Sequence, residues 1–312
     1  VKYVIIDRNG NELPPVVFPA MIGRAARAVV GAIHSTPRVN VAGGQYWTGD
    51  DALLSPSPLT MLAQDRLSDQ AFIPALVAGA LQRFGSLNGS ASGVCVTGLP
   101  ATWAGDAAKA RALGARLRDA HPGYKAIRVI PEPLGLLYAE ALDANGASTG
   151  DPALLSGHIG VIDLGHHTVD IAAIRRLVPV PASLNTYNLG TARPLGQIRG
   201  WLSNRFEREL TLFETDQAVR AQAVRVAGQA RALPAGWDKP LIQNGEAIAA
   251  RLVEEWGSGA QFDAILIGGG GGELAPLASA IQARFPHAQA VDQPQIAIAR
   301  GYARLARRLE QS

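Results

Sequence analysis

Cysteine is almost absent: Cys95 is the only one in 312 residues. An internal disulfide is therefore impossible, a cysteine-based zinc site is excluded, and the chain suits a reducing compartment. Within Gly93-Val94-Cys95-Val96-Thr97 the thiol has no electropositive neighbour and reads as a buried strand residue, with a reactive nucleophile as the alternative. Long hydrophobic runs are missing as well. No stretch reaches the roughly 18 uncharged residues of a membrane span. Lys2 and Asp7 flank an apolar run too short for the core of an export signal, so a cytoplasmic protein with no membrane partner is expected. Charge of one sign is also scarce, because a net charge of +3 gives no field suited to direct nucleic-acid binding. No Gly-Lys-Ser or Gly-Lys-Thr follows the glycine-rich segment, which excludes a Walker loop. That segment also lies too late in the chain for a dinucleotide fingerprint.

What is present is an ordinary globular composition, 47% hydrophobic and 18% charged, in a chain longer than the roughly 100 to 200 residues of one domain. Two domains are predicted, with one large domain as the alternative. Tyr3 to Asp7, Asn9-Gly10 and Val16-Val17-Phe18 read as a hairpin ended by Pro19, and Val39 to Val41, Gly43-Gly44 and Tyr46 to Thr48 as a second. Ser68-Asp69 can cap a helix carrying Phe72, Leu76, Ala80 and Leu81, closed by Gly85. Strand Gly93 to Thr97, helix Ala104 to Ala120, strand Ala126 to Ile130 and helix Pro133 to Ala144 then imply βαβ crossovers and parallel strands. Asn145 to Ser156, rich in small and polar residues, reads as a mobile connector and the first candidate domain boundary.

The hairpin opening then reappears, as His158 to Asp163 and Thr168 to Ile174 read as two strands joined by a glycine-containing turn. Helices are expected around Pro194 to Leu210, Thr215 to Ala232 and Leu241 to Trp256, followed by a buried strand at Ala264 to Ile267. The last helix, Gln295 to Leu309, carries an apolar stripe of Ile298, Tyr302, Leu305 and Leu309. Arg300, Arg304, Arg307 and Arg308 form its second face, read as solvated or as a partner surface.

Three places can carry chemistry. Asp163-Leu164-Gly165-His166-His167-Thr168-Val169-Asp170 puts an acid at a strand end, a glycine at a turn and a hydroxyl shortly after. Such a turn aims backbone amides at phosphate oxygens while the carboxylate holds hydrated magnesium, although a plain turn has the same pattern. Gly268 to Gly272, five consecutive glycines between a strand and a helix, suit close backbone approach to a flat or anionic ligand, or a tight turn. Glu132, held between Pro131 and Pro133 at a strand end, can orient a water for attack on phosphorus or simply start a helix. His166 and His167 have no third ligand at metal-binding spacing and read as phosphate-loop or turn residues.

The order of these motifs resembles the actin superfamily, and within it the ParM/StbA-type plasmid-segregation actins. Lys2-Tyr3-Val4 through Val17-Phe18-Pro19 is similar to the end of the first phosphate loop and the strand after it, and Val39 to Ala52 to the next hairpin. Val96-Thr97-Gly98-Leu99-Pro100 resembles a core strand. Pro131-Glu132-Pro133-Leu134-Gly135 is similar to the first connecting segment, Asp163 to Asp170 to the second phosphate loop, and Ile265 to Glu273 to the adenosine motif. The resemblance implies a two-domain actin-like α/β fold of ribonuclease-H-like mixed sheets with a nucleotide cleft between domains. Residues 1–155, completed by 292–312, would form the first domain and 156–291 the second.

It further implies an ATPase that binds ATP or ADP with magnesium and polymerises into filaments for plasmid or DNA segregation, with itself and a DNA-bound adaptor as partners. By position, Asp163 would organise magnesium, Gly165, His166, His167 and Thr168 would meet the γ-phosphate region, and Glu132 would position the hydrolytic water. Gly268, Gly269, Gly270 and Gly271 would line adenosine and the α-phosphate, and Lys2 would meet the β-phosphate. His166 and His167 stand where the family often has glycine or a hydroxyl, and Ala299-Arg300-Gly301 lacks the asparagine often seen before it. The sequence begins at Val1 without the Asp-x-Gly strand that the resemblance puts before Lys2. A truncated chain, or a further N-terminal segment, is the expectation, together with weak ATP binding. A small-molecule kinase of the same fold and a non-hydrolysing actin-like scaffold are the alternatives.

Overall fold

The computed structural model describes residues 1–25, 36–61, 63–85 and 92–312, with backbone alone for residues 63 and 64. The chain opens on a short ladder in which β1 (Lys2–Tyr3) pairs antiparallel with β2 (Val16–Val17). The turn between them is fixed by Asp7, whose carboxylate accepts the amides of Asn9 and Asn11 at 2.8 Å, and by Gly10 at φ +84°. The expected hairpin is present, with its regular pairing shorter than Tyr3 to Asp7.

A second antiparallel sheet follows, with β5 (Gly44–Thr48) between β3 (Ile22–Arg24) and β4 (Val39–Val41). Ala42 and Gly43, at φ +48° and +71°, make the tight turn that a left-handed pair of residues allows. Phe18, Ile22, Val39 and Tyr46 from this region pack against Phe72, Ala75, Leu76 and Ala80. Those four lie on α2 (Phe72–Arg83), which follows the short α1 (Ala63–Arg66). Asp69 Oδ1 accepts the amides of Ala71 and Phe72 at 2.8 and 2.7 Å, satisfying donors at the start of α2.

The crossover comes next. β6 (Gly93–Leu99) and β7 (Tyr124–Pro131) pair in parallel, joined by α3 (Ala107–Ala120), whose first amides are capped by Asp106. Cys95 sits in β6 as expected, and burial pushes its thiol up to about 11, which removes thiolate character. α4 (Glu132–Ala141) starts directly from the end of β7. The segment expected to be a mobile connector is instead ordered. Asp143 Oδ1 accepts the amides of Asn145 and Ala147 at 2.8 and 2.9 Å, Leu142 bridges Ser148, and Asp151 caps α5 (Pro152–Ser156). Small polar residues here serve local turns and caps.

The second half is built on a mixed six-stranded sheet. β8 (His158–Leu164) and β9 (Val169–Arg175) are antiparallel, and β10 (Val178–Pro179) and β11 (Asn185–Tyr187) both add to β9. Two helices follow, α6 (Ala192–Phe206) and α7 (Leu212–Ala221). The helix expected to run to Ala232 ends here, because Gln222 turns left-handed at φ +52°. The chain then folds into a hairpin of β12 (Ala223–Val226) and β13 (Gln229–Ala232) around Ala227 and Gly228. α8 (Lys239–Trp256) leads to β14 (Ala264–Gly268), which pairs in parallel with β8 and with β15 (Ala288–Ala290), the last reached through α9 (Ala275–Arg284). One core packs β8, β9 and β14 against α6, α8 and α9; a second, on the other face, packs the same sheet against α4 and α10 (Pro294–Gln311).

α10 differs from its sequence reading. Its buried face is small, with Ala297 and Gly301 among its buried residues, and a side chain at Gly301 would collide with the carbonyl of Gly135. Its arginines clamp the fold where a solvated face was read. Arg304 donates to the carbonyls of Ala139 and Leu142 at the end of α4, Arg300 pairs with Glu12 at 3.0 Å, and Arg307 donates to the carbonyl of Arg8 at 2.7 Å. A cation on the last carbonyls of a helix meets the negative end of its dipole. Among the described residues no helix is long and apolar enough to cross a membrane.

Candidate functional site

Three carboxylates converge where the start of α4 meets β8 and β9. Glu132 is the first residue of α4, and Asp163 faces Asp170 directly in the β8–β9 register. The three can each offer an oxygen within 4.8 Å of the others. Asp163 and Asp170 are only 7% and 1% exposed, so the cluster is crowded negative charge out of water. Burial first, and then its acidic neighbours, pushes the carboxyl of Glu132 up to about 8, against the opposing pull of Lys2 and Arg66. Asp163 is pushed up to about 7 by burial and Asp170, with Lys2 opposing. Three oxygen donors in this arrangement suit a hard divalent cation such as magnesium.

Asp170 was part of the motif read from sequence but received no role. Its carboxylate is the most engaged of the three. Oδ1 accepts the amide of Ala101 at 2.8 Å and the hydroxyl of Thr186 at 2.6 Å, and Oδ2 accepts the hydroxyl of Thr168 at 3.0 Å. It therefore ties the end of β6, β11 and the β8–β9 loop to one point. Arg66 is a second residue that sequence reasoning missed. It acts electrostatically on Glu132, His166 and His167, and no local pattern around it carries that information.

The loop itself is a tight turn, closed by the Gly165 amide on the Thr168 carbonyl at 2.9 Å. The carbonyls of Gly165, His166 and His167 accept the amides of Thr191, Ala192 and Gly190. In a planar trans peptide the carbonyl and the next amide point opposite ways. The amides of His166, His167 and Thr168 are thus turned away from the start of α6, in the direction from which an anion would be met. The two imidazoles stack edge to face at 4.7 Å between ring centres. Burial lowers the pKa of both, helped by His167 and Arg66 for His166, where Asp216 opposes, and by Arg66 for His167.

The glycine run lies against the same place, since Gly268 pairs with Asp163 across β14 and β8. Most of these glycines are required by the protein's own packing. A side chain at Gly268 would enter Leu136, one at Gly269 (φ +80°) would strike Asp163 Oδ1, and one at Gly271 would meet Leu164. Gly270 differs: its nearest neighbour is Arg220 Nη2 at 3.6 Å. Arg220 is held there by Asp216, Glu273 and the Gly270 carbonyl at 2.8, 2.5 and 3.0 Å. Lys2 and Glu132 also line a cavity of about 780 Å³ that runs between β1 and β6 along α10. The loop at Gly165 to Thr168 and the glycine turn stand outside its walls.

No protein-family model matches the sequence, and a search of curated proteins returns no match. Solved structures do match over nearly the whole chain. The archaeal actin homolog Ta0583 in complex with ADP is 16% identical, with 96% of this chain and 94% of that chain covered at a TM-score of 0.69. This is the actin-like ATPase fold. Bacillus thuringiensis ParM with ATP is 13% identical, covering 99% of this chain and 95% of that chain at a TM-score of 0.64. A 15-stranded ParM filament from Clostridium botulinum is 18% identical, covering 96% and 97% at 0.64. The actin-like architecture, ParM-like in its matches, agrees with the resemblance read from the motifs.

Proposed function

We propose that this chain binds ATP with magnesium between two domains, hydrolyses it, and polymerises into filaments that serve plasmid or DNA segregation in the cytoplasm. The observation that carries the reading is the convergence of Glu132, Asp163 and Asp170 beside an anion-accepting turn and a glycine turn, in an actin-like chain. In this reading residues 1–155 with 292–312 form one domain and 156–291 the other, and a DNA-bound adaptor links the filament to its cargo.

Asp163 and Asp170 would hold the magnesium ion, whose charge would relieve the repulsion between them. When bound, the ion would withdraw charge from the phosphate oxygens. The amides of His166, His167 and Thr168 hold the terminal phosphate, Lys2 faces the phosphate before it, and Gly268 to Gly271 present backbone to adenosine and the α-phosphate, with Gly270 and Arg220 at the open side. Glu132 orients the attacking water and accepts hydrogen bonding from it as charge develops. Hydrolysis would loosen the clamp between domains. Non-closing contacts between copies generate filaments, and the exposed Leu53 and Leu54 offer apolar surface for one such contact.

The test is ATP hydrolysis together with light scattering and electron microscopy of the protein with ATP and magnesium. Phosphate release without any acceptor, and scattering above a critical concentration, support the reading. Turnover that needs an added acceptor hydroxyl would turn it towards a kinase, and nucleotide binding without turnover towards a scaffold.

A further inference from the structure

The crossing of α4 and α10 brings one more group to the carboxylates. Gly135 and Gly301 let the two helices approach with backbone nearly in contact, and Tyr302 follows Gly301 directly. A β-carbon at Gly135 would meet the Tyr302 ring at 2.5 Å. The ring is thereby aimed along the start of α4, towards Glu132. A β-carbon at Gly98 would run into the Tyr302 hydroxyl and, at 2.7 Å, into Cγ of Glu132. The two side chains therefore converge over the same bare stretch of β6.

The Tyr302 hydroxyl is buried and has no hydrogen-bond partner among the described residues. A buried hydroxyl without a partner is unfavourable, and phenylalanine would fill the same space without that penalty. Burial, reinforced by Glu132, Asp163 and Asp170, holds the phenol far above its ordinary range, so it keeps its proton and can only donate to a carboxylate. The sequence reading placed Tyr302 in an apolar stripe, where its hydroxyl had no purpose.

We propose that Tyr302 is a positioning residue for hydrolysis: its hydroxyl donates to the Glu132 carboxylate in the nucleotide-bound protein and fixes which oxygen faces the attacking water. The proposal rests on the hydrolase reading above. It gives α10 a link to the chemistry as well as to packing.

The experiment measures ATP turnover by the wild type, Tyr302→Phe, Glu132→Gln and the double variant, with the KM for ATP of each. Phenylalanine keeps the ring and its packing. Tyr302→Phe is expected to lower kcat about tenfold, a part of what a positioned proton acceptor supplies, while KM stays within about twofold. In the Glu132→Gln background the same change should have no further effect on kcat. An unchanged kcat in Tyr302→Phe, or a loss that multiplies independently with that of Glu132→Gln, overturns the role of Tyr302 and leaves the hydrolase reading standing. A wild type with no turnover overturns the hydrolase reading, and the role of Tyr302 with it.

Discussion

Asp163 and Glu132 stand at strand ends inside motifs, so their candidacy as site residues was legible before any fold was known. Asp170, Arg66 and Tyr302 were not legible as site residues, because each depends on a distant segment. Asp170 is engaged by Ala101 and Thr186, and Tyr302 is brought to the same bare stretch of β6 as Glu132 by the crossing at Gly135 and Gly301. Local periodicity contains neither arrangement. The acidic cluster makes a pH-dependent signature. Carboxyl groups raised to about 8 for Glu132 and about 7 for Asp163 keep protons in the folded state that the unfolded chain has already released. Their contribution to the stability of the free protein should therefore fall as pH rises from the ordinary carboxylate range towards 8, then level off. The buried amino group of Val1, lowered to about 5, and the lowered imidazoles of His166 and His167 act in the opposite direction. In thermal melts from pH 5 to 8 the melting temperature of the wild type relative to Glu132→Gln should fall as pH rises. Magnesium should raise the melting temperature at pH 8 and have little effect at pH 5. A wild-type melting temperature that holds or rises relative to Glu132→Gln across this window would contradict the electrostatics of the site.

Among the elements, the glycine turn separates a structural from a ligand-facing demand within one run of identical residues. Gly269 has a left-handed backbone and lies against Asp163, whereas Gly270 has room. Gly269→Val should destabilise the fold by about 1–3 kcal/mol from backbone strain alone, more with the clash. Gly270→Val should fold with a nearly wild-type denaturation midpoint and lose ATP affinity. If Gly270→Val instead binds normally, the turn serves packing only. The clamp of α10 on α4 is a second element-scale device. Arg304→Ala removes donors from the Ala139 and Leu142 carbonyls and should cost about 1–3 kcal/mol in denaturant unfolding. An unchanged midpoint would return these arginines to the solvated face first read from sequence. That reading failed because an arginine stripe has the same spacing whether it meets water or helix ends. The run from Thr215 to Ala232 was misread for a related reason. Helical spacing and short alternation overlap there, and Gly228 marks the hairpin.

At the scale of the molecule, the order of motifs carried the fold: hairpins, a βαβ crossover, a second hairpin and a late glycine turn are all found where the sequence puts them. What it could not carry was the sharing of α4 and α10 with the face of the six-stranded sheet, which is set by packing across the chain. Assembly belongs to this scale. Leu53 and Leu54 are 51% and 57% exposed, and burying one leucine contributes about 1.5–3 kcal/mol. Leu54→Asp should raise the critical concentration for scattering about tenfold or more while leaving ATP binding intact. Wild-type assembly by this variant would move the contact elsewhere.

The central claim is that the carboxylates hold a metal–nucleotide complex, and calorimetric titration of ATP into wild type and Asp163→Ala, with and without magnesium, tests it most directly. The account predicts binding by the wild type that depends on magnesium. It predicts a loss of affinity on the order of 100-fold in Asp163→Ala, a few kcal/mol of lost charge stabilisation. Equal affinity in both proteins, or binding indifferent to magnesium, would contradict it.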